Sequence, residues 1–193
     1  MVKLGDSDEL CVRSPGVMLG YWNNEVATKE IIDEDGWLHT GDKAKIIDNH
    51  IYITGRIKEI LVLSNGEKVP PADIELSIAK DPLFEQSMVI GEQKPFLAAL
   101  VVFNVDEWAK LAKKLNIDAT SDSLNSDRIK KYALERIQKQ LHNFPGYANI
   151  YQITITLDPW TVENNLLTPT LKLKRNEIMQ KYDAAISEMY KGH

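Results

Sequence analysis

Apolar residues change their spacing along this chain, and the changes outline its elements. Glu9-Leu10-Cys11-Val12-Arg13 alternates polar and apolar residues, the pattern of a half-buried strand. Pro15-Gly16 and Gly20 punctuate the next stretch. Lys45 to Asp48 and Ile51 to Thr54 are two further strand patterns. Asn49-His50 lies between them and suits a hairpin turn, though without the usual glycine. Ile60 to Leu63 predicts a strand ending at an Asn65-Gly66 turn. Pro70-Pro71 predicts a helix start, with Ile74 and Ile78 on one face. Ser87 to Ile90 and Phe96 to Phe103 predict paired strands across a turn holding Gly91 and Pro95. The second of these is the longest apolar run; it is far too short to cross a bilayer and reads as a buried strand. Trp108, Leu111, Ala112 and Leu115 recur at helical spacing, as do Ile129, Ala133, Ile137 and Leu141. A polar, serine-rich loop from Asn116 to Ser126 separates the two. Asn143 to Gly146 breaks the second helix, and Tyr151 to Thr156 predicts a strand. A last helix places Ile178, Tyr182, Ile186 and Met189 on one face.

Strands and helices alternate irregularly, which favours the α+β class. The strand-and-turn stretch to about Gly55 is too short for a stable domain alone and resembles the end of something larger. The expected division is therefore 1–55 and 56–193. A chain of 193 residues with 44% hydrophobic and 26% charged residues fits one domain with an appendage. The net charge of -5 argues against a nucleic-acid partner. The single cysteine, Cys11, cannot form an internal disulfide; it fits a reducing compartment and a buried strand position. The first residues turn polar after Leu4, so no signal peptide is expected. Cytoplasmic residence is the matching expectation, leaving room for peripheral contact with a membrane through an amphipathic face.

Several common sites are missing from the sequence. There is no G-x-x-x-x-G-K-[ST] loop, no G-x-G-x-x-G and no G-x-S-x-G. His39, His50, His142 and His193 are far apart in sequence, so no metal site is expected.

Three constellations carry more. In Asp35-Gly36-Trp37-Leu38-His39-Thr40-Gly41-Asp42, a carboxylate comes after a tight glycine turn and could accept hydrogen bonds from a vicinal diol such as a ribose. Thr54-Gly55-Arg56-Ile57-Lys58-Glu59, then Ser64-Asn65-Gly66-Glu67-Lys68-Val69, places basic groups at the composition break, where a guanidinium suits phosphate or ribose oxygens. In Leu167-Thr168-Pro169-Thr170-Leu171-Lys172-Leu173-Lys174-Arg175, Leu171 and Leu173 are expected to anchor the segment while Lys172 points away as a charge on a pinned loop. Alone, each also fits a plainer reading: a turn aspartate, a solvated linker, a basic segment before a helix.

Together and in this order, the three resemble the adenylate-forming (AMP-binding) superfamily, and Gly16-Val17-Met18-Leu19-Gly20-Tyr21-Trp22 resembles that family's segment ahead of the aspartate. Leu-Thr-Pro-Thr-Leu-Lys-x-Lys-Arg is similar to its long-chain fatty acyl-CoA synthetase branch; most other branches have a glycine where Leu171 stands. The resemblance implies the tail of a large N-terminal domain, then a small mobile C-terminal domain with a mixed sheet and packed helices. It implies that Asp42, Arg56 and Lys68 bind ATP or AMP, that Lys58 is the hinge, and that Lys172 is catalytic. It places Ser64, Asn65, Gly66 and Glu67 in a loop on the CoA side. ATP with Mg2+, CoA and a fatty acid are the implied cofactors and substrates. The family's phosphate loop, adenine-binding segment and acyl tunnel lie upstream, so the isolated chain is expected to be inactive. A stand-alone, non-catalytic module binding a nucleotide or a partner is the rival expectation.

Overall fold

A computed structural model describes residues 1–118 and 121–192, apart from the side chains of Lys58, Ser121 and Asp122. The chain forms two compact units, Met1–Ile60 and Leu61–His193.

The first unit is an antiparallel sheet in the order β1-β2-β3-β4, with β1 (Val2–Leu4), β2 (Glu9–Val12), β3 (Leu38–Ile47) and β4 (His50–Arg56). Cys11 is fully buried in β2, as expected of a lone small apolar residue in a strand; Leu10 beside it is buried too, so the strand does not show the expected alternation. The β3–β4 turn is Asp48-Asn49, one residue earlier than the sequence suggests, since Ile47 pairs with His50. Both turn residues have positive φ, 48° and 62°. Aspartate and asparagine tolerate that region, which is how the hairpin closes without glycine. Helix α1 (Glu25–Ile31) is an addition to the predicted elements. It buries no residue, so it carries no apolar period, and its local signal is Asn24, whose side chain accepts the Ala27 N–H.

The second unit begins with a small hairpin, β5 (Leu61–Val62) and β6 (Lys68–Val69), and with α2 (Pro71–Ile78). Its main sheet has the order β7-β8-β9, formed by β7 (Phe84–Ile90), β8 (Leu97–Phe103) and β9 (Ile150–Thr156). β7 and β8 are antiparallel, whereas β8 and β9 are parallel. A parallel pair needs a long crossover. It is supplied by α3 (Val105–Leu115), α4 (Ser121–Leu124) and α5 (Asp127–Gln140). Helices α6 (Arg175–Lys181) and α7 (Asp183–Met189) end the unit, giving the expected α+β class.

Every residue of β8 is buried. Leu97, Ala99, Val101 and Phe103 share one cluster with Ile74 and Ile78 of α2, Trp108 of α3 and Ile129 and Ile137 of α5. Ala98, Leu100 and Val102 face the other way, into Trp160, Leu166, Leu167, Ile178 and Ile186. A strand covered on both faces needs no polar alternation, which is why its sequence reads as one apolar run.

Two expectations are corrected. The Asn116–Ser126 stretch is not all loop, because Ser121–Leu124 forms α4; Ala119 and Thr120 lie outside the described residues. The last helix is two helices, interrupted at Tyr182 with φ -107° and ψ 19°, although Ile178, Ile186 and Met189 stay buried together.

The outer strands of the sheet are finished by side chains. On β7, the Val89 N–H donates to Glu75 Oε1 at 2.7 Å, and the Val89 carbonyl accepts from Arg175 at 3.4 Å. On β9, the Ile155 N–H and carbonyl bond to the two ends of the Asn125 amide at 2.9 and 2.7 Å.

Ile137 on α5 is fully buried in the core, whereas Met179 on α6 is 42% exposed. Ile137→Ala is expected to destabilise by about 2–5 kcal/mol, and Met179→Ala by less than about 1 kcal/mol. Urea denaturation monitored by tryptophan fluorescence measures both.

Candidate active site

In the first unit, Asp42 is displayed by a bulge. Glu9 pairs with Lys43 and Cys11 with His39, so Leu10 alone stands opposite Thr40, Gly41 and Asp42. Excess residues in one strand kink it and re-aim its side chains. Gly41 sits at φ 72°, where a side chain is strained even though the space is open. Three further contacts hold the bulge. Thr40 Oγ1 donates to the Leu10 carbonyl at 2.7 Å and accepts the Asp42 N–H at 3.1 Å. Glu9 Oε1 accepts the Gly41 N–H at 2.9 Å. The Asp42 carboxylate is thus on rigid backbone, as expected, but within a strand rather than after a turn.

Arg56 is the strand partner of Asp42, and its Nε donates to Asp42 Oδ1 at 3.1 Å. The second carboxylate oxygen and the terminal guanidinium nitrogens have no partner among the described residues. The two groups together offer acceptor and donors side by side, as a hydroxylated, anionic ligand requires.

Beneath the bulge lies a network that the sequence does not reveal. Glu9 Oε2 is 2.7 Å from His39 Nδ1, and Asp33 Oδ2 is 3.6 Å from His39 Nε2. The hydrogen bond to Glu9 is the main reason that the His39 pKa rises above its ordinary value, with burial opposing it. Asp33 is held below the usual carboxylate range, chiefly by the Trp37 N–H. Burial raises the Cys11 thiol. Among the described residues, Glu9, Cys11 and His39 form the group able to hold a metal ion, with donor atoms within 4.8 Å of one another. Its ligand spacing is invisible in sequence because strand pairing, not chain proximity, assembles it. Both Glu9 oxygens and His39 Nδ1 are already hydrogen-bonded, so the group braces the bulge.

Near the end of the first unit, the backbone carries Lys58 in a single 3-10 turn, Ile57–Glu59; its side chain lies outside the described residues. In the second unit, Ser64, Asn65, Gly66 and Glu67 form the exposed turn of the β5–β6 hairpin. The Gly66 N–H donates to the Leu63 carbonyl, the Leu63 N–H to Glu67, and Gly66 adopts φ 87°. Lys68 comes next, exposed, beside the buried Val69.

Lys172 lies in a tight loop closed by a bridge between Leu167 and Leu173. Thr168 clamps it from both sides: its N–H donates to the Lys172 carbonyl at 2.8 Å and its hydroxyl accepts the Lys172 N–H at 3.0 Å. The Lys172 side chain is exposed and forms no hydrogen bond or ion pair among the described residues. Its neighbours are committed. Lys174 Nζ donates to Asn165 Oδ1, and Arg175 grips both oxygens of Glu75 at 2.8 and 2.7 Å. Leu171 does not anchor the loop as expected: it is 71% exposed, with φ 60°. The positive φ of Leu171 turns the chain so that the Lys172 carbonyl and N–H meet Thr168 at 2.8 and 3.0 Å, and the Leu171 side chain is left in solvent. Leu173 is the apolar anchor, packed against the core.

The profile of the family described as AMP-binding enzyme C-terminal domain matches residues 58–193. One similar protein is the probable acyl-activating enzyme 16, chloroplastic, of Arabidopsis thaliana, 34% identical, with the match covering 93% of this chain and 26% of that protein. Another is long-chain-fatty-acid–CoA ligase 6 of Mus musculus, 37% identical, covering 94% of this chain and 27% of that protein. A similar solved structure is the A domain of carboxylic acid reductase from Segniliparus rugosus in complex with AMP and a co-purified carboxylic acid. It has 26% identity and a TM-score of 0.81, covering 94% of this chain and 28% of that one. The chain spans about a quarter of the length of the curated relatives it matches. Among the described residues, no helix is long and apolar enough to cross a membrane.

The His39 network predicts a pH effect. Its folded pKa is raised, so the stabilisation is complete below the unfolded value of about 6.5 and is lost as pH rises through the folded value. NMR titration of His39 should give a midpoint above that value, and Glu9→Gln should lower it. The Lys172 loop predicts opposite effects at one position. Leu171→Gly should leave stability unchanged or raise it by about 1 kcal/mol, because glycine accepts positive φ. Leu171→Pro should destabilise, since proline excludes that φ and removes the N–H bonded to Thr168. Chemical denaturation distinguishes the two.

Proposed function

The chain belongs to the family of AMP-binding enzyme C-terminal domains, and from that premise we propose that it is the C-terminal portion of an ATP-dependent fatty acid–CoA ligase of the long-chain type. In the proposed reaction, a fatty acid carboxylate oxygen attacks the α-phosphorus of ATP and pyrophosphate leaves. The CoA thiol then attacks the acyl carbonyl of the adenylate, giving the thioester and AMP. The upstream part of the protein supplies the phosphate loop, the acyl tunnel and most contacts to ATP and Mg2+. Residues 1–55 are the tail of that large domain, and 56–193 the mobile C-terminal domain.

One observation carries the assignment of Lys172. In a segment with three basic residues, Lys174 and Arg175 are bound to partners within the fold, whereas Lys172 is exposed on a clamped loop. A free ammonium on a fixed backbone can meet an external anion without first breaking an internal bond. We assign it to the acyl carboxylate and the α-phosphate, where it stabilises charge developing in the transition state. Asp42 accepts from the ribose hydroxyls, and Arg56 and Lys68 meet ribose or phosphate oxygens. Rotation about Lys58 removes Lys172 after adenylation and brings the Ser64–Glu67 turn to the CoA side. Cytoplasmic residence, leaving room for peripheral membrane contact by the full-length protein, belongs to the same reading; similar proteins include ones designated chloroplastic and peroxisomal. The isolated chain is not expected to turn over.

In the full-length enzyme, Lys172→Ala should lower adenylation by about two orders of magnitude or more. Thioester formation from supplied acyl-adenylate should change little. Lys174→Ala should spare both steps, because its ammonium serves Asn165. Pyrophosphate exchange and thioester yield measure the two half-reactions. Equal damage from both lysine variants would remove the assignment.

A further inference from the structure

Arg175 lies three residues beyond Lys172, as the first residue of α6. Its guanidinium takes both oxygens of Glu75, at 2.8 and 2.7 Å, across a sequence distance of 100 residues. Glu75 sits in α2 and accepts the Val89 N–H from β7 at 2.7 Å. The pair is largely screened from water, with side-chain exposures of 25% for Arg175 and 13% for Glu75. Nη2 alone makes both carboxylate contacts, while Nη1 donates to the Val89 carbonyl at 3.4 Å, so the start of α6 is tied to a second helix and to a strand. Two nitrogens of one rigid plane, meeting two different elements, restrain direction as well as distance.

The segment between Lys172 and Arg175 has little freedom of its own. Thr168 clamps Lys172 on the upstream side. Leu173 bridges to Leu167, and the Lys174 N–H donates to the Leu166 carbonyl at 2.9 Å. Arg175 is the point at which this closed loop meets the rest of the unit through a long-range ion pair. A small rotation there would be carried rigidly to Lys172. Displacement of a charge partner by about 1 Å can cost a hundredfold in rate.

We infer that Arg175 and Glu75 are positioning residues for Lys172 and act on the adenylation step through it. The inference rests on the proposed role of Lys172 and extends it to residues with no assigned contact to substrate. Arg175→Lys keeps the charge but loses the planar group that reaches Glu75 and Val89 together; Arg175→Met loses both; Glu75→Gln keeps the shape of the acceptor side and loses its charge.

The test uses the full-length enzyme and the two half-reactions. Arg175→Met and Glu75→Gln should each lower kcat for adenylation by about tenfold or more, with KM for ATP changed by less than about threefold. Arg175→Lys should recover only part of the loss. Thioester formation from supplied acyl-adenylate should be nearly unchanged. In a Lys172→Ala background, Arg175→Met should add no further loss of adenylation, because residues acting through one group are not additive. Equal losses in both half-reactions, or a full additional loss on top of Lys172→Ala, would assign the pair to folding alone and overturn the inference. So would adenylation unchanged in Glu75→Gln, the variant that best preserves the packing, when Lys172→Ala is impaired. If Lys172→Ala itself adenylates normally, the reading of Lys172 fails, and the inference falls with it by a different result. Denaturation midpoints of all variants, measured beforehand, keep every assay in the folded range.

Discussion

The second unit depends on one constraint: β8 is apolar on both faces and must be covered on both. Its odd-numbered residues are covered by α2, α3 and α5, and its even-numbered residues by the segment from Trp160 through α7. Removing either layer would return a continuous row of Ala, Leu and Val side chains to water, at about 1.5–3 kcal/mol for each large residue. The second layer begins after β9 and includes Leu166, Leu167 and Ile178, the residues on either side of Lys172. The loop that displays Lys172 is thus a short excursion from a layer whose first duty is to close the core. Fold and candidate chemistry are coupled there by packing.

The same constraint explains what the sequence can tell. The run from Phe96 to Phe103 marks the central strand, and the periodic helices around Ile74, Trp108 and Ile129 mark the layer above it. These are signals of burial, and burial leaves a strong period in sequence. Elements with no buried face leave none, as in α1, or are blurred by polar surroundings, as in α4. The break at Tyr182 is hidden because the buried positions of two successive helices happen to keep one phase.

The candidate site is legible as an ordered set of motifs, and its positions are legible as residues but not as geometry. Asp42 and Arg56 stand out separately; that they are strand partners joined by an ion pair comes from the register of β3 and β4. The bulge beneath Asp42 depends on Glu9, which a sequence reading has no reason to select, since a carboxylate in an alternating strand is ordinarily a solvated face. Hydrophobicity alone makes Leu171 an anchor, whereas the backbone demands a left-handed residue there and lets the side chain go. Glycine would meet that demand at no steric cost, whereas Leu171 holds the same φ under strain.

A three-stranded sheet has two open sides, and each is an invitation to another polypeptide. Exposed N–H and carbonyl groups on an outer strand are a template for pairing with any extended chain, including another copy of the same protein. Here Glu75 and Arg175 occupy the outward groups of Val89, and the Asn125 amide occupies those of Ile155. Four hydrogen bonds, supplied by three side chains, thus imitate a missing neighbour along the two margins. The ion pair that steadies the basic loop therefore also serves as a guard against intermolecular β-assembly. A domain that swings at every turnover, as the proposed reaction requires, needs its sheet closed to strangers while it is undocked.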